Sequence, residues 1–251
     1  MTSLSKRLIT IAEQVLSHLP LADIGTDHAS LPIYLVKHSI VPYAIASDLH
    51  DGPVLAATQR VKSSGLEARI SVRAGDGLTV LAPNEVSTIV IAGMGGGTMT
   101  SILSSGHLRG LGVKRLVLQP NVGEHLVREF LLHEGWNLTN EQLIEEDGII
   151  YEIITAEAAS DSDAKEWNEH LYAHKLACDI KLSRSTRLLL GPIHLAQPTD
   201  LFMKKWQNFL LKQERLIYEI DKSKTASSLS KSQIFRQQYE EVREVLTCLS
   251  Q

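Results

Sequence analysis

The sequence predicts an α/β fold: a mainly parallel sheet of seven strands with intervening helices, followed by a helical extension. Three observations predict it. Short Val- and Ile-rich runs, bounded by Gly, Asp or Pro, alternate with helix-like stretches from residue 20 to 134, the pattern of βαβ units. Two longer apolar runs then follow each other across a Glu/Asp/Gly turn. Beyond about residue 160 the apolar spacing becomes almost purely helical.

Taken in order, Leu4, Leu8, Ile11, Val15 and Leu19 recur every three or four residues and predict a helix over residues 1–19. The runs Leu21–Ile24, Tyr43–Ser47, Ile70–Ala74, Thr88–Ala92 and Arg115–Leu118 predict five parallel strands. Helices are expected around 30–39, 52–64, 97–104 and 123–134. Trp136–Leu143 and Ile149–Ala156 predict an antiparallel hairpin at the sheet edge. The polar stretch Ala159–Asp163 can cap a helix and marks a boundary between domains at 1–158 and 159–251. In the second domain, three seams carry 3–4 spacing: Ala164, Trp167, Leu171, His174, Cys178; Phe202, Trp206, Phe209, Gln213, Leu216, Ile220; and Phe235, Gln238, Val242, Val245, Leu249. They predict long helices packed as a small antiparallel coiled coil. Gly191-Pro192 breaks the chain, and the Ser/Lys-rich residues 222–232 are expected to form the bend between the last two helices.

Composition excludes several classes. With 251 residues, 43% hydrophobic and 22% charged, the chain can bury an ordinary globular core. The amino terminus lacks the features of a signal peptide, and no apolar run reaches the roughly 18 residues of a membrane span. A cytoplasmic protein is expected. Cys178 and Cys248 fit no metal or redox spacing and are expected to be reduced packing residues. Residues 1–160 hold 11 Lys/Arg against 17 Asp/Glu, whereas 161–251 hold 14 against 12. Charge therefore neither demands nor excludes a nucleic-acid partner.

The chemistry gathers at the ends of the predicted strands. Asp23-Ile24-Gly25-Thr26-Asp27-His28 follows the first. Gly25 permits a sharp turn, but Asp27 stands where a dinucleotide site would carry its second glycine. A carboxylate suits a cationic, amine-bearing ligand such as S-adenosyl-L-methionine better than a pyrophosphate; an ordinary turn with an N-cap Asp is the alternative. Asp48 ends the second strand 23 residues after Gly25, close to the spacing of about 20 for a ribose-binding acid, though an N-cap fits as well. Gly75-Asp76-Gly77 follows the third strand, where Asp76 can accept from an adenine amino group. Gly93-Met94-Gly95-Gly96-Gly97 follows the fourth with no Lys-Ser/Thr behind it, so it is not a P-loop. Its glycines would let a flat base approach a sulfonium. Gln119 and Asn121 follow the fifth, and their amides can read a base edge or simply form a turn. His28 is the one histidine at a candidate site, and a structural hydrogen-bonding role suits it as well as catalysis.

As a set, residues 22–32 (ADIGTDHASLP), 46–53 (ASDLHDGP), 75–78 (GDGL), 91–96 (IAGMGG) and 118–121 (LQPN) resemble the bacterial tRNA (adenine(22)-N1)-methyltransferase family, and the resemblance continues into the helical tail. It implies a Rossmann-like class I methyltransferase sheet with a C-terminal coiled-coil extension, S-adenosyl-L-methionine as donor and a D-arm adenine of tRNA as acceptor. It implies Gly25, Asp27, His28, Asp48, Leu49, Asp76, Gly77, Gly93, Met94 and Gly95 around the donor. Ser30 is a departure, since the resemblance implies an aromatic there. Asp27 is the candidate for electrostatic help to the methylated base. Gln119 and Asn121 are candidates for the base, and Arg184, Arg187, Lys204 and Lys205 for tRNA phosphates, though a solvated helix face explains the last four as well. No protein partner is evident from the sequence, and a monomer or weak oligomer is expected. Competing readings are a methyltransferase for another RNA, protein or small molecule, a nicotinamide oxidoreductase (disfavoured by Asp27), and a non-catalytic tRNA-binding protein.

Overall fold

The computed structural model describes residues 4–106, 108–173, 176, 178, 180–222 and 226–250. Two compact units divide the chain, Met1–Asn168 and Glu169–Gln251.

The first unit opens with α1 (Lys6–Ala12), whose N-cap Ser5 accepts from the Leu8 amide at 3.2 Å. The helix is shorter than the sequence predicts. After Ala12 the chain closes three-residue turns, Gln14 N to Ile11 O and Val15 N to Ala12 O, and His18 adopts φ 61°. Val15 is nevertheless buried, so the apolar spacing reported burial rather than continued helix. There follow β1 (Leu21–Ile24), α2 (Ser30–Lys37), β2 (Ala44–Asp48), α3 (Asp51–Ser63), β3 (Ile70–Ala74), β4 (Thr88–Gly95), α4 (Gly96–Ser105), β5 (Arg115–Val122), α5 (Glu124–His133), β6 (Trp136–Glu146) and β7 (Ile149–Ala158). The sheet order is β3-β2-β1-β4-β5-β7-β6. The first five strands run parallel, and β7 pairs antiparallel with both β5 and β6.

Parallel strands are covered by helices on both faces, so they read as continuous apolar runs. Leu21, Ala22 and Ile24 of β1, Ile89–Ile91 of β4 and Leu116–Leu118 of β5 are all buried. Strands β4 and β5 outrun the prediction because the glycine run and Gln-Pro-Asn pair with each other, Met94 opposite Pro120 and Gly95 opposite Val122. Two carboxylates, Glu141 of β6 and Glu152 of β7, clasp the fully buried guanidinium of Arg128 from α5.

Helix α6 (Asp161–Tyr172) begins near the expected boundary at 158. The compact unit extends ten residues further, to Asn168. Trp167 Nε1 donates to Leu138 O at 2.9 Å and Asn168 Nδ2 to Trp136 O at 3.0 Å, and these bonds tie the helix to β6.

The second unit holds α7 (Arg184–Leu190), α8 (Pro192–Ala196), α9 (Asp200–Lys222) and α10 (Ala226–Leu249). Gly191, at φ 90°, makes the expected break. Helices α9 and α10 pair antiparallel, with Gln213 Nε2 donating to Gln238 at 3.2 Å and Arg236 meeting Asp221. The buried seam is Phe202, Trp206, Gln213 and Ile217 against Val242, Val245 and Leu246. Leu216 is 43% exposed, so Ile217 takes the place predicted for it. Residues 226–232 belong to α10 rather than to a bend; residues 223–225 and the seam residue His174 lie outside the described residues. Cys178 and Cys248 are not separate thiols as expected. They are joined as a disulfide with Cα atoms 6.0 Å apart: positions 70 residues apart in sequence are neighbours in the folded unit. Among the described residues, no helix is long and apolar enough to cross a membrane.

Candidate active site

The strand order reverses between β1 and β4, and ligands of open α/β sheets bind in the crevice beyond the carboxyl ends at such a point. A cavity of about 580 Å³ lies there, bordered by the chain following β1, β2 and β3 and by the start of α4. Its volume is typical of small-molecule sites, which span about 300–1,000 Å³.

Each wall has a local cause. Gly25 turns the chain at φ 74°, and its amide and that of Thr26 both donate to Ser47 O at 2.8 Å, folding the loop across the end of β2. A Cβ on Gly25 would lie 2.0 Å from Met94 Cε, so the glycine leaves room for the methionine that lines the cavity beside it. Asp48 accepts from the His50 amide at 2.9 Å, which fixes its carboxylate at the strand end. Asp76 sits between Gly75 and Gly77, which pack against Val80 and Ile102. Leu49, Met94 and Ile102 supply apolar wall, and Gly97, Thr98 and Ser101 complete it from α4. Among the described residues, two carboxylates and no Lys or Arg line the cavity. Those acceptors suit sugar hydroxyls, an amino group and a sulfonium, and they repel a pyrophosphate.

The structure thus brings together Gly25, Asp48, Leu49, Asp76, Gly77 and Met94 from the expected site. Asp27 and His28 are outside the lining: their side chains pair at 3.1 Å and are 84% and 53% exposed. His28 and Ala29 both take left-handed φ, 61° and 52°, conformations that cost energy for residues other than glycine. Gly93 and Gly95 are also outside the lining, in β4. Ser30 accepts a hydrogen bond from Arg60 at 2.9 Å.

Gln119 is fully buried and has no amide left to read a base. Its Oε1 accepts from Gly93 N (3.2 Å) and from Arg7 Nη1, while its Nε2 donates to Pro120 O and Asn121 Oδ1. Asn121, exposed, donates to Gly93 O at 2.7 Å. Together they hold both polar atoms of Gly93, which stands at φ 80°. Arg184 and Lys204 are exposed on α7 and α9, Lys205 lies 5.4 Å from the Trp206 ring centre, and burial pushes the Arg187 guanidinium pKa down. All four belong to the second unit.

Ile24, Ser47, His50 and Gly75 of the lining lie inside the sequence motifs without having been assigned a role there, and Thr98, Ser101 and Ile102 of α4 lie just beyond them. Sequence reasoning also missed Asp23 and Arg7. Asp23 is buried at the end of β1, and its pKa is raised from 3.8 to about 6: burial is the largest cause, the negative charge of Asp48 adds to it, and a 2.6 Å hydrogen bond from Thr26 opposes it. A carboxylate interrupting an apolar strand was the available signal. Arg7 stands 112 positions before Gln119, and local spacing carries no trace of such a contact.

A family model described as "Methyltransferase domain" matches residues 4–154. The Bacillus subtilis protein named tRNA (adenine(22)-N(1))-methyltransferase is 42% identical over 216 residues, 86% of this chain and 84% of that one. The crystal structure of the B. subtilis M1A22 tRNA methyltransferase TrmK superposes with a TM-score of 0.86 at 36% identity, covering 98% of this chain and all of that one. A Streptococcus pneumoniae relative solved in complex with S-adenosyl-L-methionine gives a TM-score of 0.79 at 32% identity, over 97% of this chain and all of that one.

Fold and cavity define a class I methyltransferase dependent on S-adenosyl-L-methionine. Within that class, the chain belongs to the tRNA (adenine(22)-N1)-methyltransferase family.

Proposed function

We propose that this protein methylates N1 of adenine 22 in the D arm of tRNA, with S-adenosyl-L-methionine as donor. The observation that carries the reading is a cavity at the switch point lined by two carboxylates and, among the described residues, by no Lys or Arg, in a chain similar along most of its length to a named tRNA methyltransferase. When bound, the donor supplies a methyl group made electrophilic by a sulfonium. Asp48 accepts from the ribose hydroxyls and Asp76 from the adenine amino group. Gly25 keeps the β1 turn clear so that Met94 stands against the donor. Adenine N1 is a neutral nucleophile, so the protein's main task is to bring it into line with the methyl group. No strong base is needed. N1 lies on the pairing edge, and the nucleotide must therefore leave its pair or stack first.

Asp27 is assigned electrostatic support for the base, which becomes cationic. Asp27→Ala should lower kcat while donor affinity holds; full activity in the variant would remove that role. The helical unit is assigned to tRNA binding through Arg184, Arg187, Lys204 and Lys205. The cytoplasm, where tRNA is processed, is the expected location, with a monomer or weak oligomer as the working unit. The reading is tested by incubating protein, donor and unmodified tRNA and mapping reverse-transcription stops. A donor-dependent stop at position 22 supports it, and methylation confined to another position or substrate overturns it.

A further inference from the structure

We propose that Arg7 binds a backbone phosphate of the target nucleotide and so seats the acceptor base. This rests on the tRNA reading above and adds a residue to it. Three observations place Arg7. Its Nη1 donates to Gln119 Oε1, the same oxygen that receives the Gly93 amide. Its guanidinium carbon lies 5.2 Å from the ring centre of Tyr151. A Cβ on Gly93 would stand 3.6 Å from Arg7 Nη1, so the guanidinium rests over the glycine that precedes the cavity-lining Met94.

The group is half-buried and held on two sides, yet among the described residues it has no carboxylate at ion-pair distance. Glu146 accepts from the Arg7 backbone amide, at 3.3 Å, and Gln119 is a neutral partner. A guanidinium has five donors in a rigid fork, and Gln119 occupies one of them. A cation without an anion, braced in a fixed plane, is the geometry that recognises phosphate. Residues 1–160 have an acidic excess, which makes a cation at this edge the natural anchor for a polyanion. Phosphate would also neutralise Arg7. Unneutralised, its charge would oppose the positive charge that methylation places on the base.

Salt dependence separates this role from mere support of Gln119. Each phosphate contact contributes about 0.7 (single-stranded) to 0.9 (duplex) to the slope of log K against log salt. Binding of unmodified tRNA is measured across a salt series for the native protein, Arg7→Gln and Arg7→Lys, with donor affinity and thermal midpoint as controls. Arg7→Gln should flatten the slope by roughly 0.7–0.9, Arg7→Lys should keep it, and donor affinity should stay within about twofold. An unchanged slope in Arg7→Gln overturns the proposal even if its activity falls. Should that variant not fold, the native protein is tested on D-arm hairpins carrying one neutral methylphosphonate at a time; no position that flattens the slope overturns the proposal as well. Methylation at position 22 by the native protein is scored in parallel. Its presence with an unchanged slope removes the Arg7 role alone, whereas absence of both methylation and tRNA binding removes the functional reading and the Arg7 role with it.

Discussion

Replacing Asp23 with asparagine probes the electrostatics of the strand end that carries the donor turn. The carboxyl is buried and its pKa stands near 6, against 3.8 ordinarily. A rise means that the native state keeps a proton the unfolded chain has already lost. Stability therefore falls as pH increases between about 4 and about 6 and stays lowered above that window. At about 1.36 kcal/mol per tenfold in proton affinity, the ionised carboxylate costs the native state about 3 kcal/mol at neutral pH. Asparagine can still accept the Thr26 hydroxyl, so the variant loses the charge and keeps the hydrogen bond. Urea unfolding of both proteins across pH should give equal stabilities below about pH 4 and a gain for Asp23→Asn approaching about 3 kcal/mol at neutral pH. A cationic donor bound nearby favours the ionised carboxylate, so donor affinity should rise with pH through the same window in the native protein and stay flat in the variant. A stability difference independent of pH would show that Asp23 is not held protonated by its burial.

Other perturbations follow from the same geometry. Gly25→Ala places a side chain at φ 74°, at a cost of about 1–2 kcal/mol, and drives Met94 into the cavity; calorimetry should show donor Kd raised at least about tenfold. Adding Met94→Ala should recover part of that loss, and native-like binding in the single variant would contradict the packing. Asp48→Ala removes a charged acceptor worth about 1.5–3 kcal/mol, so donor Kd should rise about 10- to 100-fold while the thermal midpoint holds. Arg128→Met strands Glu141 and Glu152 in the core and should cost about 3–5 kcal/mol in urea unfolding; unchanged stability would show that the carboxylates take up protons at no cost.

The sheet was legible because its strands are buried on both faces and punctuated by glycine and aspartate. The edge hairpin was legible from its turn. Strand-end acids marked the cavity for a similar reason, since Asp48 closes the apolar run of β2 and Asp76 stands two residues past the end of β3. Failures came where distance along the chain hides distance in space. Cys178 meets Cys248, and Arg7 meets Gln119, through packing that no local periodicity records. Gln119 looked like a base reader because its amide chemistry permits that; only its burial shows the amide engaged with Arg7 and the backbone around Gly93. Residues 1–19 read as one helix because turns bury the same apolar spacing, and Leu216 was chosen over Ile217 because a one-residue offset is invisible when both are apolar.

Replacing one atom of the acceptor removes the nucleophile on which methyl transfer depends. A tRNA carrying 1-deazaadenosine at position 22 keeps the base's shape and stacking and lacks the nucleophile. In single-turnover assays the natural tRNA should yield 1-methyladenosine and the deaza substrate no methyl transfer, although the latter still binds and competes. Methyl transfer to the deaza tRNA at the natural rate would contradict attack by N1.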